Sequence, residues 1–300
     1  MKSITIRYFD VDYVGLTSST SLVGRLVSKL SSTAAERMMI INKQSSDKSD
    51  LISDFGNVSN GTMITGTCLR IVNSKDAPII TNDMLNQKQF TVSSISYSGT
   101  ADNKTCLDYF FFCLSDDKLI VTLDQRTGIS RFETYLNWLL NTTESGENIE
   151  FTPMVDEEHI SAAEIKQITI NNSFEMNLGG DDPKKDTVGS KIVELTQDVL
   201  RKLFSDTNSL DELLSANICS ANLTIKFTKP RSMNNDEYKK KTASAILKPL
   251  ENPDNISFKG KGRKIKGSQV LKTDIIEVDC DDNGAVSEQS VYQQMIKKMT

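Results

Sequence analysis

"CLDYFFFCLSDDKLIVTL", Cys106 to Leu123, holds two runs rich in aromatic and aliphatic residues around a polar "SDD" at Ser115 to Asp117. Such runs suit a pleated surface, and a short Ser/Asp break between them predicts a hairpin. The same texture extends outward. "SITIRYF" alternates apolar with polar, and "TMITGTCLRIV" and "KQFTVSSISYS" read as further strands, separated by turn material such as "NVSNG", "SKDAP" and "SGTADNK". Helical spacing interrupts this series twice. Leu22, Leu26 and Leu30 line one side of "SLVGRLVSKLSS", and Phe132, Tyr135, Leu136, Leu139 and Leu140 form a broad stripe in "ISRFETYLNWLLNTT", which is expected to close the sheet on one side. Trp138 on that helix reads as core or subunit contact before base-stacking platform.

Near residue 150 the chain turns polar and acidic, in "NTTESGENIEFTPMVDEEHISAAE". A boundary near 155 gives a strand-rich domain over 1–155 and a second domain over 156–300. In the latter, "IKQITINNSFEM", "NLTIKFT" and "SQVLKTDIIEVDC" read as strands. Helical patterns fall at "TVGSKIVELTQDVLRKLF", "SLDELLS", "NNDEYKKKTASAILKPL" and the terminal "SEQSVYQQMIKKM". The expected class is α+β, with mixed, mainly antiparallel sheets and packed helices in two domains.

Much chemistry is excluded by residue type. The longest apolar runs, such as Tyr109 to Leu114, fall well short of the roughly 20 residues of a membrane-spanning helix. The start lacks the apolar core of a secretion signal, so a cytoplasmic location is expected. Five scattered cysteines with no C-x-x-C spacing argue for reduced, mostly buried thiols and against a thiolate zinc site. His159 is the only histidine, so a His-dependent triad or a His-rich metal site would rest on this one residue, which reads as a surface or capping group. "GTMITGTC" lacks the Gly-Lys-Ser/Thr of a phosphate loop, and the dinucleotide fingerprint is missing. Asp279, Asp281, Asn283 and Glu288 supply calcium-type oxygens at the wrong spacing, and read as a solvated acidic turn. No metal, cofactor or catalytic residue is expected. The enzymatic alternative is a metal-dependent nuclease using Asp181, Asp182 and Lys184; a second alternative is a regulatory subunit that meets acidic protein.

Charge distribution is the positive signal. The chain has 35 Lys and Arg against 40 Asp and Glu, for a net charge of -5. Between residues 226 and 272, however, thirteen basic residues face only four acidic ones, leaving +9. Three runs carry it: Lys226, Lys229 and Arg231; Lys239, Lys240 and Lys241; and Lys259, Lys261, Arg263, Lys264 and Lys266. Such a segment in an acidic chain predicts nucleic acid as partner, bound through phosphates without sequence readout. Gly260, Gly262 and Gly267 would let backbone approach a phosphate.

The order of "YFFFCLSDDKLIVTL", "FETYLNWLL", "GENIEFTPMV", "IKQITINNSFEM" and "LTIKFTKPRSMNNDEYKKKTASAILKPLENPDNISFKGKG" resembles the RexA proteins of the two-component Rex phage-exclusion systems of lambda-type prophages. The resemblance covers residues 100–300, and is closest in "ENIEFTPMV" and from Leu223 to Gly262. It implies a dimeric, two-domain α+β protein that binds double-stranded DNA with little sequence preference and works with a small membrane-protein partner. The matching basic positions are Lys226, Lys229, Lys239 to Lys241, Lys259 and Lys261. Arg263, Lys264 and Lys266 exceed the family's pattern, and the tail around "DCDD" and "QQMIKKMT" departs from it.

Overall fold

The "SDD" break is a turn fastened by its own side chains: the Ser115 hydroxyl donates to Asp117 Oδ1 (2.6 Å) and accepts from the Lys118 N–H (3.0 Å). It joins β6 (Lys104–Ser115) to β7 (Lys118–Val121), which pair antiparallel from Phe112↔Val121 to Leu114↔Leu119. This computed structural model describes residues 1–14, 21–41, 48–58, 61–73, 78–95, 104–123, 129–142, 146–156, 167–173, 220–226, 234, 238, 256–259, 264–281 and 285–300. The chain divides into a unit of Met1–Asp124, Ile129–Thr152 and Thr273–Thr300, and a unit of Gln125–Gly128 and Pro153–Lys272.

In the first unit the hairpin lies inside a large antiparallel sheet. Its neighbours are β1 (Lys2–Val14), β2 (Met39–Ile40), β3 (Ser49–Val58), β4 (Met63–Asn73) and β13 (Thr273–Val278), in the order β13-β1-β7-β6-β4-β3-β2. Two strands join off this path, β5 (Ile79–Ile80) on β6 and β8 (Asn148–Pro153) on β1. The α+β, mainly antiparallel class is as expected.

Helices α1 (Leu22–Lys29) and α3 (Ser130–Leu139) supply apolar stripes to one core, where Phe132 sits among Phe110, Phe112 and Phe151 at ring-centroid distances of 5.4, 4.9 and 5.8 Å. Such pairs add about 0.5–1.5 kcal/mol each beyond the area they bury. Trp138 is partly exposed, its ring 6.0 Å from that of Tyr135. A second core lies on the other side of the alternation: Ile6, Phe111, Cys113, Ile120, Ile276 and Val278 take Val291 and Met295 of the terminal helix α4 (Glu288–Met299).

Gly66 of β4 is fixed by the first of these cores. A Cβ there would lie 2.6 Å from the Phe112 ring and 2.7 Å from the Asp54 carbonyl oxygen, so Gly66→Ala forces two strands apart. The expected cost is about 1–3 kcal/mol, read as a fall in denaturation midpoint at unchanged m-value.

Two expectations are corrected. Residues 273–300 were assigned to the C-terminal domain, yet β13 pairs with β1 from Lys2↔Val278 to Arg7↔Thr273 and α4 packs on the same sheet. The physical reason is that β1 has a free side whose alternating Ile4 and Ile6 need cover, and β13 brings Ile276 and Val278 to it. The outer edge of β13 is itself blunted: Ile275, 59 % exposed, has its N–H accepted by Asp274 Oδ1 (2.8 Å), and Asp274 also pairs with Lys298.

The second correction concerns "KQFTVSSISYS", whose described part is not a strand. It runs into α2 (Asn82–Leu85) on one side and forms a 3-10 turn at Val92–Ser94, with Phe90 and Ile95 buried. Its N–H groups are taken elsewhere: Phe90 donates to the Ser53 carbonyl (2.8 Å), and Val92 and Ser93 donate to Glu288 Oε1.

Candidate nucleic-acid interface

In the second unit, β9 (Gln167–Ser173) is flanked by β10 (Ser220–Lys226) and β11 (Ile256–Lys259), and β12 (Lys264–Lys266) pairs with β11. All three pairings are antiparallel, so the register gives transverse rows whose members share a face. Lys226 is opposite Gln167, and Lys259 is opposite Lys264. Because Phe258 is opposite Ile168, Lys259 falls opposite Gln167, and one row reads Lys226, Gln167, Lys259, Lys264.

The next row is Ile225, Ile168, Phe258, Ile265, and the one after is Thr224, Thr169, Ser257, Lys266. Successive rows belong to opposite faces. One face therefore carries Lys226, Lys259, Lys264 and Lys266 among Gln167, Thr169, Thr224, Ser257, Asn171 and Asn222. The other carries Ile168, Ile170, Leu223, Ile225, Ile256, Phe258 and Ile265. Phe258 is fully buried and Lys266 is exposed, which sets the apolar face as core and turns the polar one outward at β12, while Ser257, opposite Lys266 on the inner strand β11, is itself buried. The backbone positions of Lys226 and Lys264 are three strand spacings apart, about 14 Å, and Lys264 and Lys266 about 7 Å.

Four of the eleven basic residues singled out from the sequence thus share one face of the sheet. Lys229, Arg231, Lys239, Lys240, Lys241, Lys261 and Arg263 lie outside the described residues, as do the alternative nuclease set Asp181, Asp182 and Lys184, and His159. Tyr238, just before the lysine triplet, is buried and its N–H donates to the Asn234 carbonyl (3.0 Å). Sequence reasoning missed the neutral member of the lysine row, Gln167. Its signal was the strict alternation of "QITIN", which puts Gln167, Thr169 and Asn171 on one side.

In the acidic "DCDDNGAVSE", Asn283 lies outside the described residues, and the carboxylates of Asp281 and Glu288 have partners within the protein. Asp281 Oδ1 accepts the Ala285 N–H (2.8 Å), while Glu288 points its carboxylate into the first unit's sheet. Among the described residues, no group of three His, Cys, Asp or Glu side chains is placed to hold a metal ion. Cys68, Cys106, Cys113 and Cys280 are free thiols, and the first three are buried. Burial pushes the Cys113 thiol up to about 12 and that of Cys106 to about 11, which leaves both protonated and unreactive at neutral pH. Among the described residues no helix is long and apolar enough to cross a membrane. No family model matches this sequence, and no curated protein matches it closely enough to count as a relative.

Proposed function

We propose that this protein binds double-stranded DNA without reading its sequence, through the lysine-bearing face of the four-stranded sheet. The observation that carries the reading is the register that gathers Lys226, Lys259, Lys264 and Lys266 on a face otherwise made of Gln, Thr, Ser and Asn. Lysine is a point charge on a long stem, suited to neutralising phosphates and unsuited to bidentate reading of a base edge. The Gln, Thr and Asn residues of the same face add phosphate and sugar partners.

The choice of duplex over single strand rests on what the face lacks. Sheets that bind unpaired strands stack bases on exposed aromatic rings. Among the described positions of this face there is no aromatic residue, and Phe258 belongs to the buried opposite side. By its resemblance to RexA proteins, the DNA-binding unit works in phage exclusion, in the cytoplasm, as a homodimer with a small membrane-protein partner.

Filter binding to duplex and single-stranded DNA of equal length, at rising salt, tests the reading. The duplex is expected to bind more tightly, with affinity falling steeply as salt increases. Equal or tighter binding of the single strand overturns the assignment, and so does duplex binding that salt leaves unchanged.

A further inference from the structure

In the first unit two carboxyls are buried on the α4 side of the sheet with no cation among the described residues to neutralise them. Asp54 of β3 is 8 % exposed and Glu288, in the first turn of α4, is 7 % exposed. A β-bulge at Ser53 puts Asp54 there. Ile52 pairs with Cys68, and the next pair is Asp54↔Thr67, so the extra residue swings Asp54 away from the Ile52 side. Tyr292, one helical turn after Glu288, completes the group.

The contacts form a chain of four oxygens. Thr67 Oγ1 is 3.2 Å from Glu288 Oε2, Thr67 Oγ1 is 2.6 Å from the Tyr292 hydroxyl, and that hydroxyl is 3.1 Å from Asp54 Oδ2, with a longer side contact of 3.5 Å to Glu288 Oε2. The three shorter links need three protons whichever way the 3.5 Å contact is shared, and the two hydroxyls supply only two. With both carboxyls ionised, one oxygen–oxygen contact has no hydrogen in it and two like charges face each other in a desolvated site. With one carboxyl protonated, every link is filled and a single negative charge is left.

The backbone decides where that charge sits. Glu288 Oε1 accepts the N–H groups of Val92 and Ser93, whereas Asp54 accepts that of Phe55 alone. The anion therefore belongs to Glu288 and the proton to Asp54. We propose that the Asp54–Tyr292–Thr67–Glu288 chain is a one-proton latch, which holds α4 on the sheet while the two carboxyls share a proton and frees the helix when that proton leaves.

The neighbouring groups agree. Among the described residues no lysine or arginine pairs with either carboxyl. The ionisable groups acting on Glu288 are Asp54, and on Tyr292 both carboxyls. The 3-10 turn contributes backbone N–H only, and β6 contributes the Phe111 ring, edge-on to Tyr292 at 6.0 Å. Burial raises both carboxyls above their ordinary values, and for Glu288 the charge of Asp54 adds to it. An acid whose folded value is raised stabilises the folded state fully below its unfolded value, near 4, and loses that contribution as pH rises through the folded value. The latch is thus acid-closed and base-opened.

Hydrogen exchange of the α4 amides in the full chain, corrected for intrinsic exchange and followed from pH 5 to 9, tests this. Between the ordinary carboxyl value near 4 and the raised folded value the opening constant of α4 is expected to rise about tenfold per pH unit, the slope of a single proton, and to level off above the folded value, while the β4 and β6 amides keep their protection. Asp54→Asn supplies the third hydrogen permanently, and Glu288→Gln does so from the other end, so in each variant the pH slope of α4 vanishes. A wild-type slope of zero overturns the latch. A wild-type slope retained in both variants overturns it equally.

Discussion

Asp50→Ala is expected to remove about 3–5 kcal/mol of folding stability, the loss typical of breaking a buried ion pair from one side. Asp50 is 1 % exposed and accepts from three N–H groups: Arg70 Nε at 2.9 Å and Nη2 at 2.8 Å, and Arg131 Nε at 3.0 Å. It lies in a cross-strand row with Arg70 and Asp108, and Arg131 of α3 bridges the row by donating to Asp108 Oδ2 at 2.6 Å. Removing Asp50 leaves the two arginines in unequal positions. Arg70, 27 % exposed, reaches water; Arg131, 6 % exposed, does not, and its Nη2 is already without a partner. The cost therefore comes chiefly through Arg131. Chemical denaturation is expected to show a large fall in midpoint for Asp50→Ala, part of which returns in the double variant Asp50→Ala with Arg131→Met. A loss under about 1 kcal/mol, the scale of a surface pair, would show that Arg131 finds water unaided, and an additive double variant would show that the two residues are not coupled.

Asp50 also marks where reading the sequence stopped. The runs in β1, β4, β6 and β7 are legible because their alternation and β-branched content are local properties, and α1, α3 and α4 are legible because their apolar residues recur at helical spacing. Strand β3, "SDLISDFGNV", was passed over although it lies inside the sheet. Its Ser49, Asp50, Ser53 and Asp54 are buried, which local hydrophobicity argues against. The burial of the two carboxyls is tolerable only through partners far along the chain, Arg131 for Asp50 and Tyr292 for Asp54. Arg37 presents the same difficulty. It is fully buried and donates to the carbonyls of Leu30, Ser32, Ile52 and Lys88, which nothing in its own neighbourhood announces. The strand reading of residues 88–95 failed the other way. Its β-branched content was genuine, but Glu288 takes the N–H groups a ladder would need.

The candidate interface was legible as charge and illegible as geometry. Composition located the lysines; only the pairing of β10, β9, β11 and β12 puts four of them on one face. That distinction makes the last prediction sharp, because a surface that binds by placement differs from one that binds by net charge. Each phosphate neutralised on B-DNA contributes about 0.9 to the slope of log K against log salt. Changing Lys226, Lys259, Lys264 and Lys266 together to Gln is therefore expected to reduce that slope by about 3.6 and to weaken duplex binding near 0.1 M salt by roughly three orders of magnitude. The matched control changes Lys2, Lys29, Lys118 and Lys297, all exposed in the first unit, to Gln. It carries the same net charge and is expected to keep the slope and most of the affinity, since a lysine that neutralises no phosphate releases no counterion. Lys259→Gln alone, at the centre of the row, should cost about tenfold and one unit of slope. If the control loses as much as the face variant, overall charge and not the sheet governs binding. If neither loses affinity, the contacts with DNA lie elsewhere in the chain.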